Sequence, residues 1–147
     1  MGRIKTLDEI KAMVRARTGK RNTFRHAKRE DVESVLAGLT SKDPELWAQE
    51  WSRVAKPYED HGDTLEKTGK FDEARQAYLQ AYFYYATGRY PTPHTQGKLE
   101  CFRKSLELYE KAGRYFSPPL ERVEIASQSA KFPFMRASPK TASRTRS

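Results

Sequence analysis

Apolar residues recur at helical spacing in several segments of this chain. The clearest segment is the stretch 47–91, in which apolar positions repeat every three or four residues on both sides of a short polar turn. This pattern predicts two antiparallel amphipathic helices over residues 44–67 and 71–87. Gly69 follows the first helix, at a position that favours a residue with positive φ. Gly62 is small where the two helices need to approach closely.

The remaining segments predict three more helices and one strand. Thr6 with Glu9, and Asp43 with Pro44, are typical of helix starts. The sequence LERVEI alternates apolar and polar residues like a strand. A single strand cannot satisfy its own backbone hydrogen-bonding groups, so we expect it to be an orphan whose sheet is missing. The helices are predicted at 4–16, 31–39, 44–67, 71–87 and 96–113, and the strand at 120–125.

The predicted fold is therefore all-α, with about five helices, one short strand and a disordered tail. The regions are a basic N-terminal helix and loop (1–30), a helical domain (31–119), the start of a missing sheet (120–125) and the tail (126–147). The tail is rich in serine, alanine, arginine and proline and contains no acidic residue. A segment of this composition has too few large apolar residues to fold by itself.

The net charge of +9 is concentrated at the two ends of the chain. Residues 1–30 contain ten lysines and arginines against three acidic residues, whereas residues 31–120 contain twelve against fourteen. A nucleic-acid-binding domain usually carries a basic stripe on its folded surface, so we do not expect nucleic acid as a partner. No run of about 18 apolar residues predicts a membrane helix, and no apolar signal sequence is present. One cysteine, Cys101, fits a reducing compartment, and we expect a cytoplasmic protein.

The tyrosine-rich end of the second long helix is the strongest candidate for an interaction surface. It contains more aromatic residues than one helical face can bury, and tyrosine is favoured at interfaces. We therefore favour contact with a partner or a second domain over packing in the chain's own core alone. The candidate contact residues are Tyr82, Tyr85 and Tyr90 at this end, together with Trp47 and Trp51 of the first long helix.

No pattern in the sequence predicts catalysis, a metal or a cofactor. The histidines His26, His61 and His94 are far apart in the chain, and Cys101 neighbours the apolar stripe of the helix at 96–113. A free cysteine in such a place is usually a small hydrophobic residue. The chain also contains no G-x-S-x-G, the sequence that carries the nucleophile of a serine α/β-hydrolase.

The two central helices resemble a tetratricopeptide repeat. Large and small residues occupy the offsets that such a helix pair uses, at Tyr58, Gly62, Leu65, Gly69, Ala74, Tyr78 and Ala81. Only one convincing copy is present, and a lone repeat cannot bury both of its faces. A small module that binds a peptide or protein in a helical groove is the alternative function.

A longer stretch, residues 30–125, resembles the helical N-terminal segment of α/β-hydrolases related to fermentation-respiration switch proteins and 2,6-dihydroxypseudooxynicotine hydrolase. The order of its pieces carries this resemblance: a tryptophan-bearing helix, an Ala/Gly helix hairpin, the end YYATGRYP, a GK helix and PLERVEI. The resemblance implies a cap and dimer-forming region attached to a serine hydrolase of ester or carbon–carbon bonds. No triad residue can be carried over to this chain. Because the sequence departs from the family after Ile125, we expect a truncated or frame-shifted reading frame.

The main prediction is therefore a helical cap fragment that is not catalytic by itself. Its expected partner is the missing catalytic domain or another protein, with a homodimer as a further expectation. No cofactor, metal or membrane contact is expected.

Overall fold

The structure, a computed structural model, describes residues 5–20, 22–124 and 133–137. Five α-helices dominate these residues, which confirms the predicted all-α fold. None of the described helices is long and apolar enough to cross a bilayer. The helices are α1 (Leu7–Arg17), α2 (Arg29–Gly38), α3 (Pro44–Lys67), α4 (Phe71–Gly88) and α5 (Gln96–Gly113), with one 3₁₀ turn at Asn22–Phe24. Two short strands follow, β1 (Leu120–Glu124) and β2 (Pro133–Ala137).

The start signals in the sequence cap α1 and α3 as expected. Thr6 Oγ1 accepts a hydrogen bond from Glu9 N at 3.2 Å, and Glu9 Oε1 accepts one from Thr6 N at 2.9 Å. Asp43 Oδ1 accepts a hydrogen bond from Glu45 N at 3.0 Å, which satisfies a donor at the start of α3. In the turn between α3 and α4, Gly69 has a φ of +78°, a conformation that glycine adopts without strain.

Helices α3 and α4 form a tight antiparallel pair. A Cβ atom added at Gly62 would lie 2.6 Å from two ring carbons of Tyr78, so a glycine is needed for this close approach. One turn earlier in α3, Glu59 contacts Tyr85, which lies two turns later in α4. The residue numbers therefore rise along one helix as they fall along the other.

Helix α5 completes the packing around α3. Lys104 Nζ lies 2.7 Å from Glu59 Oε2 on α3 and 5.5 Å from the ring centroid of Tyr85 on α4. On α2, Ser34 Oγ accepts a hydrogen bond from Arg53 Nη2 of α3 at 3.0 Å. α3 thus contacts α2, α4 and α5 and is the central helix of the bundle.

The core is built around the ring of Trp51, which is fully buried. Its ring stacks on Tyr84 at 5.7 Å between centroids and lies 6.3 Å from the ring of Phe24. Phe24 and Val14 come from the region predicted as a basic N-terminal helix and loop, yet both are completely buried in the same core. The other large, fully buried side chains include Val32, Val35, Leu36, Tyr78 and Leu108.

The strand expected at 120–125 is present as β1, and the structure gives it a partner that the sequence did not suggest. β1 pairs antiparallel with β2, with Leu120 opposite Ala137 and Glu124 opposite Pro133. Strand formation depends strongly on contacts with a neighbouring strand, so the short sequence PFMRA has no local pattern that predicts it. The remainder of the predicted disordered tail lies outside the described residues.

Candidate functional site

Two tyrosines of α4 donate hydrogen bonds to carboxylates of α3. Tyr78 Oη donates to Asp63 Oδ1 at 2.7 Å and to Glu66 Oε1 at 2.9 Å. Tyr85 Oη donates to Glu59 Oε1 at 2.8 Å. Both tyrosine rings are buried, so these bonds satisfy hydroxyl groups that would otherwise lose their contact with water.

Asp31, in the first turn of α2, has the same role for two further tyrosines. Its Oδ2 atom accepts hydrogen bonds from Tyr58 and Tyr84, both at 2.6 Å. Burial, followed by the hydrogen bond to Asp31, raises the pKa of Tyr84 above its ordinary value of 10.0. The phenol therefore stays protonated and acts as a hydrogen-bond donor that holds the helices together.

Two carboxylates of α3, those of Glu66 and Asp63, have a pKa below the ordinary value because of the donors around them. The Tyr115 hydroxyl lowers the pKa of Glu66 most, and burial opposes this effect. Burial also acts to raise the pKa of Asp63, but hydrogen bonds from Tyr78 and Lys111 outweigh it and the pKa is lowered. These groups stabilise the bundle, and a carboxylate with a lowered pKa is a poor general acid at neutral pH.

The five residues predicted to contact a partner divide into two groups. Trp51 and Tyr85 are 0% and 4% exposed and belong to the chain's own core. Trp47, Tyr82 and Tyr90 are partly buried and pack against that core from outside. The structure brings Trp47 and Trp51 together, with ring centroids 5.8 Å apart, whereas Tyr82 contacts α5. Contact with a partner stays a prediction, and Trp51 and Tyr85 are already covered by this chain.

Helix α5 presents three large apolar residues to solvent. Leu99, Phe102 and Leu106 are 53%, 38% and 41% exposed. Helical spacing places these residues on one face of α5 with Tyr109, but the spacing does not say whether that face is buried. The buried face of α5 instead carries mostly small or polar residues, namely Lys98, Cys101, Ser105, Leu108, Ala112 and Gly113.

Aromatic residues of α4, together with Arg89 directly after it, extend this exposed surface. The Arg89 guanidinium carbon lies 5.6 Å from the ring centroid of Phe102, and the ring of Tyr82 lies 5.0 Å from that of Tyr109. A surface hollow of about 550 Å³ adjoins these contacts and is lined by Thr23, His26, Tyr82, Phe83, Ala86, Arg89 and Tyr90. We call the combined surface the α4–α5 face: Tyr82, Phe83, Arg89, Leu99, Phe102, Leu106 and Tyr109.

Charged residues beside the α4–α5 face pair with one another. Arg103 forms ion pairs with Glu100 and, at 3.6 Å, with Glu107. Lys104 Nζ lies 2.7 Å from Glu59 Oε2. Since exposed ion pairs contribute little to stability, the effect of the Arg103 pairs is mainly to neutralise charge next to the apolar side chains, whereas the Lys104–Glu59 pair is largely buried, with side chains 19% and 7% exposed. A partner at this face would meet apolar surface with its neighbouring charges already paired.

Cys101 and His26 both make contacts within the chain's own packing. Cys101 is 1% exposed, its Sγ lies 3.1 Å from Ser52 Oγ, and burial raises the pKa of the thiol. A buried thiol with a raised pKa is a poor nucleophile. His26 stacks on Phe83 at 4.0 Å between ring centroids. Within residues 5–20, 22–124 and 133–137, no group of three or more His, Cys, Asp or Glu residues could hold a metal ion.

Comparison with known proteins relates the chain to α/β-hydrolases. No family model matches the chain. It is 28% identical over 88 residues to "Alpha/beta hydrolase xenA" of Xenoacremonium sinensis, a match that covers 54% of this chain and 21% of the relative. It is 26% identical over 103 residues to "Alpha/beta hydrolase ucsC" of Acremonium sp, which covers 67% of this chain and 21% of the relative.

The chain therefore spans about a fifth of the length of these relatives. The distant similarity over about half of the chain or more supports the α/β-hydrolase relation that the resemblance implied. It carries no assignment of activity, because most of each relative has no counterpart in the matched region.

Proposed function

We propose that this chain is a helical, non-catalytic region of an α/β-hydrolase-like protein and that its α4–α5 face packs against the catalytic domain. In this role the region covers the active-site cleft of a serine hydrolase that cleaves esters or carbon–carbon bonds, and it supports dimerisation. The observation that carries the proposal is the exposure of three large apolar residues on one face of α5. The similarity to two α/β-hydrolases supports the choice of partner.

The exposed residues of α5 are large enough to matter for association. Complete burial of a leucine or phenylalanine side chain contributes about 1.5–3 kcal/mol. Leu99, Phe102 and Leu106 are 53%, 38% and 41% exposed. Covering what remains exposed would therefore contribute on the order of 3 kcal/mol in total, before the entropic costs of association. This is about 1 kcal/mol for each residue, enough for the three together to contribute measurably to an interface.

The first test is to sequence the transcript that encodes this chain. The proposal expects it to encode a hydrolase domain with G-x-S-x-G, in the same or a shifted frame. That domain is then produced separately, and its binding to this chain is measured by isothermal titration calorimetry. A transcript without hydrolase sequence, or a folded hydrolase domain that does not bind, would refute the proposal.

The α4–α5 face is tested with a pair of matched variants. Phe102→Glu/Leu106→Glu places two charges in the apolar surface and should weaken binding by at least about 100-fold, at roughly 2 kcal/mol for each important interface residue. The control is Phe71→Glu, since Phe71 is 48% exposed, lies at the start of α4 and stacks on Tyr115 outside the face. Equal weakening by both variants would contradict the assignment of this face.

The same reagents distinguish the alternative of a tetratricopeptide-like interaction module. Light scattering on the chain alone measures its association state with and without the two charges. A monomer whose state is unchanged by the charges, and which does not bind the hydrolase domain, favours the module. Dimers that dissociate in the double variant would place the α4–α5 face in self-association, in conflict with hydrolase docking at the same surface.

A further inference from the structure

A cavity of about 460 Å³ lies where α1, the start of α3, the loop after α4 and the start of α5 meet. Its volume falls within the range of about 300–1,000 Å³ that is usual for small-molecule sites. Most of its wall is apolar, and the apolar residues include Leu7, Ile10, Met13, Leu39, Trp47 and Pro91.

One wall of this cavity contains a buried lysine. Lys98 is only 4% exposed, and its Nζ donates a hydrogen bond to the backbone oxygen of Tyr90 at 2.9 Å. Both residues line the cavity. No carboxylate in the described part of the chain lies within 4.0 Å of Lys98 Nζ. The acidic side chain that acts on Lys98 through space is Glu45, whose carboxylate accepts hydrogen bonds from Gly97 N at 3.0 and 3.1 Å and forms no ion pair with the ammonium. An ammonium group has three donor hydrogens, and lysine is almost never so fully buried without a directly bound anion.

The other charged groups of the lining make the cavity more attractive to an anion. Lys5 and Lys42 also line it, and Lys42 Nζ donates to the backbone oxygen of Lys5 at 3.0 Å. The acidic residue of the lining is Asp43, whose Oδ1 accepts a hydrogen bond from Glu45 N in the first turn of α3 at 3.0 Å. Ser41 and His94 add polar groups to the lining, and His94 Nδ1 lies 3.0 Å from the backbone oxygen of Thr92.

We propose that this cavity binds a small carboxylic acid with an apolar body. The carboxylate pairs with the Lys98 ammonium, and the body packs against Ile10, Met13 and Trp47. Lys98 is the buried lysine of the lining, whereas Lys5 and Lys42 are exposed, so a single negative charge at the Lys98 ammonium with an apolar body against the wall matches the lining best. This site does not depend on the proposed contact with a hydrolase domain.

The test uses the whole 147-residue chain and three ligands that share a ten-carbon body. Decanoate, decanol and decyltrimethylammonium are titrated by calorimetry below their critical micelle concentrations. Decanoate should bind at least about tenfold more tightly than decanol, because a charge-assisted hydrogen bond is roughly twice as strong as a neutral one. The cationic ligand should bind more weakly than either.

Lys98→Met keeps most of the side-chain volume and removes the charge, so it should abolish the preference for decanoate over decanol. Lys67→Met is the matched control, because Lys67 is exposed at the end of α3 and should leave the preference unchanged. The ligand series on the unmodified chain decides the matter even if Lys98→Met fails to fold. Absence of decanoate binding, equal binding of decanoate and decanol, or a preference that survives in Lys98→Met would overturn the proposal.

Discussion

Gly62 offers a sharp test of how α3 and α4 pack. Replacing a glycine by alanine inside a helix normally stabilises a protein by up to about 1 kcal/mol. Here the new Cβ would lie 2.6 Å from ring carbons of Tyr78, whereas carbon atoms pack best at about 3.5–4.0 Å. Roughly 1 Å of movement is therefore needed to accommodate a single methyl group.

The ring of Tyr78 has little freedom to make that movement. It is 0% exposed, and its hydroxyl is held by Asp63 and Glu66, which lie on the same helix as Gly62. Moving the ring away from Gly62 would therefore strain both hydrogen bonds. Overpacking of this kind costs about 1–3 kcal/mol, and the short contact argues for the upper half of the range. After the gain in helix propensity, we expect Gly62→Ala to lower the free energy of unfolding by about 1–2 kcal/mol.

Urea denaturation followed by circular dichroism measures this change directly. Thr64→Ala is the control, because Thr64 is exposed on the same helix and its replacement changes helix propensity without a packing clash. We expect this control to be neutral or slightly stabilising. If Gly62→Ala proves as stable as the unmodified chain, the close approach of the two helices is not as tight as the structure gives it, and the reasoning fails.

Three further predictions concern the polar groups of the bundle. The pKa of Glu66 is lowered, chiefly by the Tyr115 hydroxyl, so the contribution of ionised Glu66 to folding stability is complete above pH 4.5, its unfolded pKa, and is lost as the pH falls through the lower folded pKa. Tyr115→Phe should therefore weaken the acid dependence of the melting temperature, and an unchanged dependence would contradict this role. Asp31→Ala removes the acceptor of the buried Tyr84 hydroxyl and should cost about 1–3 kcal/mol in urea denaturation, while an unchanged midpoint would contradict this role. The thiol of Cys101 should react with Ellman's reagent at least about tenfold more slowly in the native chain than in the unfolded chain.

The helices were predictable because their signals are local. The capping pair Thr6 and Glu9 and the cap at Asp43 need only a few neighbouring residues to act, and the turn at Gly69 needs only its own backbone. Each of these features therefore appears in the structure where the sequence predicts it. The pairing of β1 with β2 depends on residues that are not neighbours in the chain, and no local pattern predicts it.

The acidic residues of α3 indicate in the sequence that tyrosines of α4 can be buried, which the spacing of apolar residues alone does not show. Glu59, Asp63 and Glu66 recur at helical spacing on α3, so they form an acidic row on a helix whose neighbour is rich in tyrosine. Buried tyrosine hydroxyls need acceptors, and such a row supplies them to Tyr78 and Tyr85. The number of aromatic rings alone suggests that Tyr85 faces a partner, whereas the acceptor Glu59 explains why its ring is buried within this chain.

The orientation of α5 could not be predicted, and this is what makes the helix informative. In an isolated domain, burying Leu99 and Phe102 and exposing Lys98 would be the more stable choice. The structure does the reverse, with Lys98 inside and the two apolar residues outside. A partner on the α4–α5 face and an anion beside Lys98 would each remove one of these costs. The two effects are separable, because Phe102→Glu/Leu106→Glu changes only residues outside the cavity lining and should leave decanoate binding unchanged.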